Sequence, residues 1–153
     1  MGAQHPDANL GELASAMIEV SAMLVRQLPS RQHMSLTTIS TLGRLAREGP
    51  QRLTALAAAE GVAQPSMTQL VHKLEAGGLV ARLPDPLDGR VCHIEVTEAG
   101  RTMLAERRRE RREWLARRLA ALPDRERDDL DAAMRTALPI VRGALTPAEV
   151  FDK

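Results

Sequence analysis

The sequence predicts a mainly α-helical protein with one small β-hairpin, and three observations lead there. Apolar residues recur at three- and four-residue intervals over most of the 153 residues. Aromatic residues are nearly absent, with one Trp, one Phe and no Tyr, so the core must be aliphatic, which suits helix-on-helix packing. Only two short runs, Val80–Leu83 and Val91–Val96, alternate with the period of strands, and they flank the turn-forming stretch Asp85-Pro86-Leu87-Asp88-Gly89-Arg90.

Taken in order, residues 1–8 are polar and read as loose. Leu10, Leu13, Met17, Val20, Leu24 and Leu28 then form a helical stripe, widened by Ile18 and Met23, and Pro29 closes it. Ser35 or Thr37 is placed to cap a second helix with Ile39, Leu42, Leu45 and Ala46 inward, ended by Gly49-Pro50. Thr54 is placed to cap a short third helix through Ala59. After the turn Gly61-Val62-Ala63-Gln64, Pro65 suits the first position of a fourth helix, where its missing N–H costs nothing. Gly77-Gly78 stops that helix before the hairpin.

Thr97 can cap a long fifth helix running to about Ala121. Its run Arg107-Arg108-Arg109-Glu110-Arg111-Arg112-Glu113 has no apolar face and reads as a solvent-crossing segment. Trp114 and Leu115 mark its return to apolar contact. Pro123-Asp124 starts the last helix, with Asp124, Glu126, Asp128 and Asp129 at the positive end of the dipole. Its stripe is Leu130, Met134, Leu138 or Ala137, Val141 and Leu145, with Pro139 a point of kinking. Residues 146–153 read as a tail.

Two short helices, a tight turn and a hairpin in this order are the layout of a winged helix-turn-helix, a shape that fits a helix into the DNA major groove. The expected organisation is an N-terminal dimerisation helix over 1–34, a winged DNA-binding domain over 35–100 and long dimerisation helices over 101–145. On the fourth helix Met67, Leu70, Val71 and Leu74 share one face. Gln64, Pro65, Ser66, Thr68, Gln69, His72 and Lys73 lie on or beside the other. These are short hydrogen-bonding groups with one cation. Gln69 can pair with adenine, Ser66 and Thr68 can meet bases or phosphates, and Lys73 can reach a phosphate. In the hairpin tip Arg90 is the only cation, suited to a narrow minor groove, and Asp88 is placed to orient it.

Composition narrows the alternatives. The chain is 44% hydrophobic and 27% charged, enough to build a core, and its net charge is +1. Residues 36–100 hold six Lys/Arg against seven Asp/Glu, a net of −1, whereas residues 101–118 hold eight Arg against three Glu, a net of +5. Nucleic-acid binding must therefore rest on where charges sit, not on total charge. The one cysteine, Cys92, rules out an internal disulfide and reads as a small core residue beside Ile94 and Val96. His5, His33, His72 and His93 are scattered without metal-ligand spacing. There is no phosphate-binding glycine loop and no nucleophile–base pair, so neither an enzyme nor a cofactor is expected. With no signal pattern and no apolar run of membrane length, the expected setting is cytoplasmic.

The stretch QPSMTQLVHKLEAGGLVAR resembles the recognition helix of the multiple antibiotic resistance regulator (MarR) family, with the ending Leu-Glu-x-x-Gly-Leu-Val-x-Arg at Leu74–Arg82. The following DPLDGRVCHIEVTEAG is similar to that family's Asp-Pro-x-Asp-Arg-Arg wing and to its Thr-x-x-Gly helix start at Thr97 and Gly100. The resemblance spans about residues 36–104. It implies a homodimer with two winged domains and a transcriptional regulator, usually a repressor on a pseudo-palindromic operator. It also implies a small phenolic or other anionic effector that often releases the DNA. This chain departs from the pattern at Gly89, in place of the first wing arginine, and at Gln69, where a basic residue is frequent. A second reading keeps the fold but acts through protein contacts, motivated by the near-neutral winged segment. Salt-sensitive, sequence-selective DNA binding separates the two.

Overall fold

The structure, a computed structural model, describes residues 6–28, 34–84 and 92–145. Among the described residues six helices and three strands follow in the order α1 (Pro6–Gln27), α2 (Leu36–Glu48), β1 (Gln51–Arg52), α3 (Leu53–Ala59), α4 (Gln64–Ala76), β2 (Val80–Pro84), β3 (Cys92–Val96), α5 (Glu98–Leu119) and α6 (Asp124–Leu145). Two compact units divide the chain, Met1–Arg112 and Glu113–Lys153.

In the first unit the core is aliphatic, as the composition requires. Leu42 and Leu45 of α2, Leu56 and Ala57 of α3, Met67, Val71 and Leu74 of α4, and Val80, Ile94 and Val96 of the sheet are all buried. Leu104 of α5 joins the same cluster, and Ile39, Ala46, Val62, Leu70 and Leu79 pack against it. At about 25 cal/mol per Å² of apolar surface withdrawn from water, burial of this kind is what holds such short helices in place.

Backbone chemistry explains where the helices start and stop. Ser35 caps α2, its hydroxyl accepting the Thr38 N–H at 3.1 Å. At the end of α3, Gly61 takes φ +62°, its N–H donates to the Ala58 carbonyl and the Val62 N–H donates to the Ala57 carbonyl. The same Schellman pattern closes α4, where Gly78 takes φ +69°, its N–H meets the Glu75 carbonyl and the Leu79 N–H meets the Leu74 carbonyl. In both cases the residue after the glycine packs on the core, so the chain leaves each helix in one fixed direction.

The sheet is antiparallel in the order β1-β3-β2, with Val80 opposite Val96, Arg82 opposite Ile94, and Gln51 opposite Ile94 on the other side. At its base Thr97 joins three elements. The Thr97 N–H donates to the Leu79 carbonyl at 3.0 Å, its hydroxyl donates to the Gly78 carbonyl at 2.6 Å, and the Gly100 N–H donates to the same hydroxyl at 3.1 Å. One threonine thus caps α5 and ties it to the end of α4 and the start of β2.

Several expectations need correction. Helix α1 begins at Pro6, not after residue 8, because proline fits the first turn of a helix. Helix α3 starts at Leu53 with Arg52 at the cap and no side-chain cap bond, so Thr54 lies inside the helix; β1 runs directly into α3 and leaves no room for a later start. Pro65 is the second residue of α4, not the first. Strand β1 has no counterpart in the sequence pattern. Cys92 is exposed, although it alternates with the buried Ile94 and Val96. It pairs with the exposed Pro84 at the outer end of the hairpin, beyond the buried part of the sheet. The arginine run of α5 is not uniformly solvated, since Arg107, Glu110 and Arg111 are half-buried while Arg108, Arg109 and Arg112 are exposed. Burial lowers the proton affinity of the Arg107 guanidinium.

In the second unit α6 has no buried residue. Leu130, Met134 and Leu138 are exposed, Ala137 and Val141 are half-buried, and the helix continues through Pro139. The Arg118 guanidinium lies over the Trp114 ring, 4.1 Å from its centroid.

Candidate nucleic-acid interface

Helix α4 turns two chemically distinct faces in opposite directions. Met67, Val71 and Leu74 are buried, and Leu70 is half-buried against the same cluster. Gln64, Pro65, Ser66, Gln69, His72 and Lys73 are exposed. The buried residues fix the rotation of the helix about its axis, and that rotation decides which side chains face outward. All seven positions expected on α4 from the sequence are therefore brought together on or beside one surface.

Their chemistry is not equivalent. The Thr68 hydroxyl donates to the Gln64 carbonyl at 2.9 Å and Thr68 is only half-exposed. With its proton engaged in the helix, Thr68 offers an outside group an acceptor, which suits a base amino group better than a phosphate. Ser66 and Gln69 are exposed. Lys73 is exposed in the last turn and makes no ion pair among the described residues, so its charge is available.

The start of α4 adds a further element. Ala63 precedes it in extended conformation and supplies no side-chain cap bond, and the first turn holds no acidic residue. The free N–H groups at the positive end of the helix dipole are then open to an anion from outside, and on DNA that anion is a phosphate.

Behind this surface the wing strand is held to the helix. Arg82 Nε of β2 donates to Glu75 Oε2 of α4 at 3.1 Å, each side chain being about one-third exposed. Neither residue stood out as functional in the sequence, although both lie in the motif Leu74–Arg82. Their signal was the fixed spacing of an acid and a base across a glycine stop. A pair this exposed contributes at most about 1 kcal/mol to stability, so orientation is the larger effect.

The hairpin tip, with Asp88 and Arg90, lies outside the described residues. Its two strands leave the sheet at Pro84 and enter it at Cys92, opposite each other. Among the described residues no group of three or more His, Cys, Asp or Glu side chains could hold a metal ion, and no helix is long and apolar enough to cross a membrane.

Comparison with known proteins agrees with this geometry. Residues 34–92 match the profile of the MarR family. A helix-turn-helix-type transcriptional regulator of Mycobacterium bovis is 41% identical over 136 residues, covering 88% of this chain and 94% of that protein. A further regulator of the same type, from Mycobacterium leprae, is 38% identical over 132 residues, covering 84% and 92%. Among solved structures, a transcriptional regulator from Pseudomonas aeruginosa superposes with a TM-score of 0.71 at 28% identity, covering 94% of this chain and 99% of that one. A MarR family protein from Bacillus stearothermophilus shares the fold, with a TM-score of 0.66 at 23% identity over 90% of this chain and 99% of that one.

Proposed function

The chain belongs to the MarR family of DNA-binding transcriptional regulators, and from that premise we propose that it acts as a homodimeric repressor on a pseudo-palindromic operator. Helix α4 enters the major groove, and the wing 85–90 enters the adjacent minor groove. The observation that carries this reading is the outward set Gln64, Pro65, Ser66, Gln69, His72 and Lys73, displayed by a helix whose other face is locked in the core.

In this reading Gln69 and Thr68 select bases, while Ser66, Lys73 and the open N-terminus of α4 hold phosphates. Arg90 occupies the minor groove with Asp88 beside it. Because residues 36–100 carry a net charge of −1, one such module binds weakly, and two must act together.

The second copy is accounted for by two unpartnered apolar stripes. Leu10, Leu13, Met17, Val20 and Met23 of α1 are exposed, as are Leu130, Met134 and Leu138 of α6. Amphipathic helices with open apolar faces are stable only when covered, and a second copy supplies an identical pair of stripes. Residues 1–34 and 101–145 then form the dimerisation region and residues 35–100 the winged domain. Two copies of α4 about 34 Å apart match one turn of B-DNA. A small anionic or phenolic effector that favours a different spacing releases the operator. The setting is the cytoplasm, where the chromosome is accessible.

The test is selection of bound duplexes from a random library by the full-length protein, repeated across salt concentrations. Enrichment of an inverted repeat with half-sites about 10 base pairs apart is expected. Failure to enrich any sequence would remove the operator reading.

A further inference from the structure

A polar cluster gathers at Glu60, the residue before the turn that joins α3 to α4. Ser40 and Arg44 stand one helical turn apart on α2, and both reach the carboxylate of Glu60 at the end of α3. The Ser40 hydroxyl donates to Glu60 Oε1 at 2.9 Å, and Arg44 Nε stands 3.6 Å from the same oxygen. The other end of the Arg44 guanidinium donates to both oxygens of Glu48 at 3.0 Å, and Gln51 Nε2 at the start of β1 donates to Glu48 Oε2 at 2.7 Å.

Two features of Glu60 call for an explanation. Its side chain is only 9% exposed, a depth that carboxylates reach when they are paired. It is also the C-cap residue of α3, where the helix dipole disfavours negative charge. Both costs are offset by the α2 side. Arg44 Nε is itself buried without a hydrogen-bond partner, and the Glu60 carboxylate is the charge that faces it. The cluster therefore ties α2 to the C-cap residue of α3, from which only Gly61, Val62 and Ala63 lead into α4.

We propose that Glu60 is a positioning residue for operator recognition: its carboxylate, held by Ser40 and Arg44, fixes the point from which the turn delivers the recognition helix. This rests on the reading of α4 as the DNA-contacting helix. The turn is stiff, with its two Schellman hydrogen bonds and Val62 packed on the core, so a displacement at Glu60 is passed on to the start of α4. Without the carboxylate the link from the end of α3 to Ser40 and Arg44 is lost, and the apolar packing that remains resists separation more than sliding. Only a fraction of molecules then presents Ser66 and Gln69 in register with the bases, and apparent affinity falls by that fraction.

The experiment uses full-length protein, the operator obtained by selection and fluorescence anisotropy, with thermal unfolding measured on every variant. Glu60→Ala is expected to bind about three- to tenfold more weakly at temperatures well below its Tm. Ser40→Ala should lose less, in the same direction. Glu60→Gln, which keeps an acceptor for Ser40, should recover part of the loss. The double variant Ser40→Ala/Glu60→Ala should be no weaker than Glu60→Ala, because both changes break one link. A lowered Tm with operator affinity within twofold of wild type would mean a purely structural role and overturn the proposal. If Glu60→Ala does not fold, undiminished affinity in both Ser40→Ala and Glu60→Gln overturns it equally. A wild-type chain that selects no duplex overturns the DNA-contact reading together with this one, whereas wild-type binding matched by the variants overturns the role of Glu60 alone.

Discussion

Replacing Gly100 by alanine tests how tightly the base of the wing is built. In the first turn of a helix this change should help, since alanine is favoured over glycine by about 1 kcal/mol. The geometry reverses the sign. A Cβ at position 100 would run into the Leu79 carbonyl oxygen and lie 2.7 Å from Val96 Cγ2. One of these neighbours is backbone and the other is a β-branched core residue, so neither can move cheaply. Overpacking of this kind costs about 1–3 kcal/mol. The displaced carbonyl is also the acceptor of the Thr97 N–H, and loss of that bond adds about 1 kcal/mol. Set against the propensity gain, the net expectation is a loss of about 1–3 kcal/mol. For a chain of this size that lowers Tm by roughly 2–12 °C. Thermal unfolding by circular dichroism measures it. Gly43→Ala is the matched control, because its new Cβ would meet only the end of the flexible Arg47 side chain at 3.2 Å and should leave Tm unchanged or raised. A Gly100→Ala protein at least as stable as wild type would refute the close-approach argument.

Three further outcomes are expected. Arg90→Ala should weaken binding to many sequences and reduce the salt slope by about one, whereas Gln69→Ala should shift base preference at one position of each half-site; competition assays over several salt concentrations distinguish them. Met134→Glu should place a charge in the apolar stripe of α6 and yield monomers in sedimentation experiments while far-ultraviolet helicity is largely kept. The hydrogen bond from Gln51, with those from Arg44, holds the Glu48 carboxyl below its ordinary value of 4.5. A carboxyl lowered on folding stabilises the protein above its unfolded-state value, and that contribution is lost as pH falls through the folded one. Between pH 6 and pH 3 the wild type should therefore lose more Tm than Glu48→Gln, and equal losses would count against the link.

Local chemistry made much of this fold legible. The buried and exposed faces of α4 follow from Met67, Leu70, Val71 and Leu74 alone, because a helix of fixed period admits one inward face. Gly61, Gly78 and Thr97 act through bonds to residues nearby in sequence or through a single backbone conformation, so their roles as stops and cap could be read. Strand β1 could not be, because two residues carry no periodicity and Gln51-Arg52 is a strand only by pairing with Ile94 and His93. Cys92 shows a related limit: alternation reports which face a strand residue shares, not how far the covering layer extends. The ion pair between Glu75 and Arg82 and the fastening of Glu60 by α2 depend on which elements fold against each other, and a charged residue in sequence does not name its partner. The helical wheel predicts an outward hydrogen-bonding group at Thr68, but its proton goes to the Gln64 carbonyl within the helix.

The division of α4 into residues that hold and residues that face outward has a consequence for how such a regulator changes over time. Met67, Val71 and Leu74 answer to the core, whereas Ser66, Gln69, His72 and Lys73 are exposed. Mutations in the second group are close to neutral for folding, so a duplicated gene can drift to a new address on the chromosome without first losing its fold. Under the proposed reading of α4, retargeting is then a matter of these four surface side chains, and the scaffold that aims them is inherited intact.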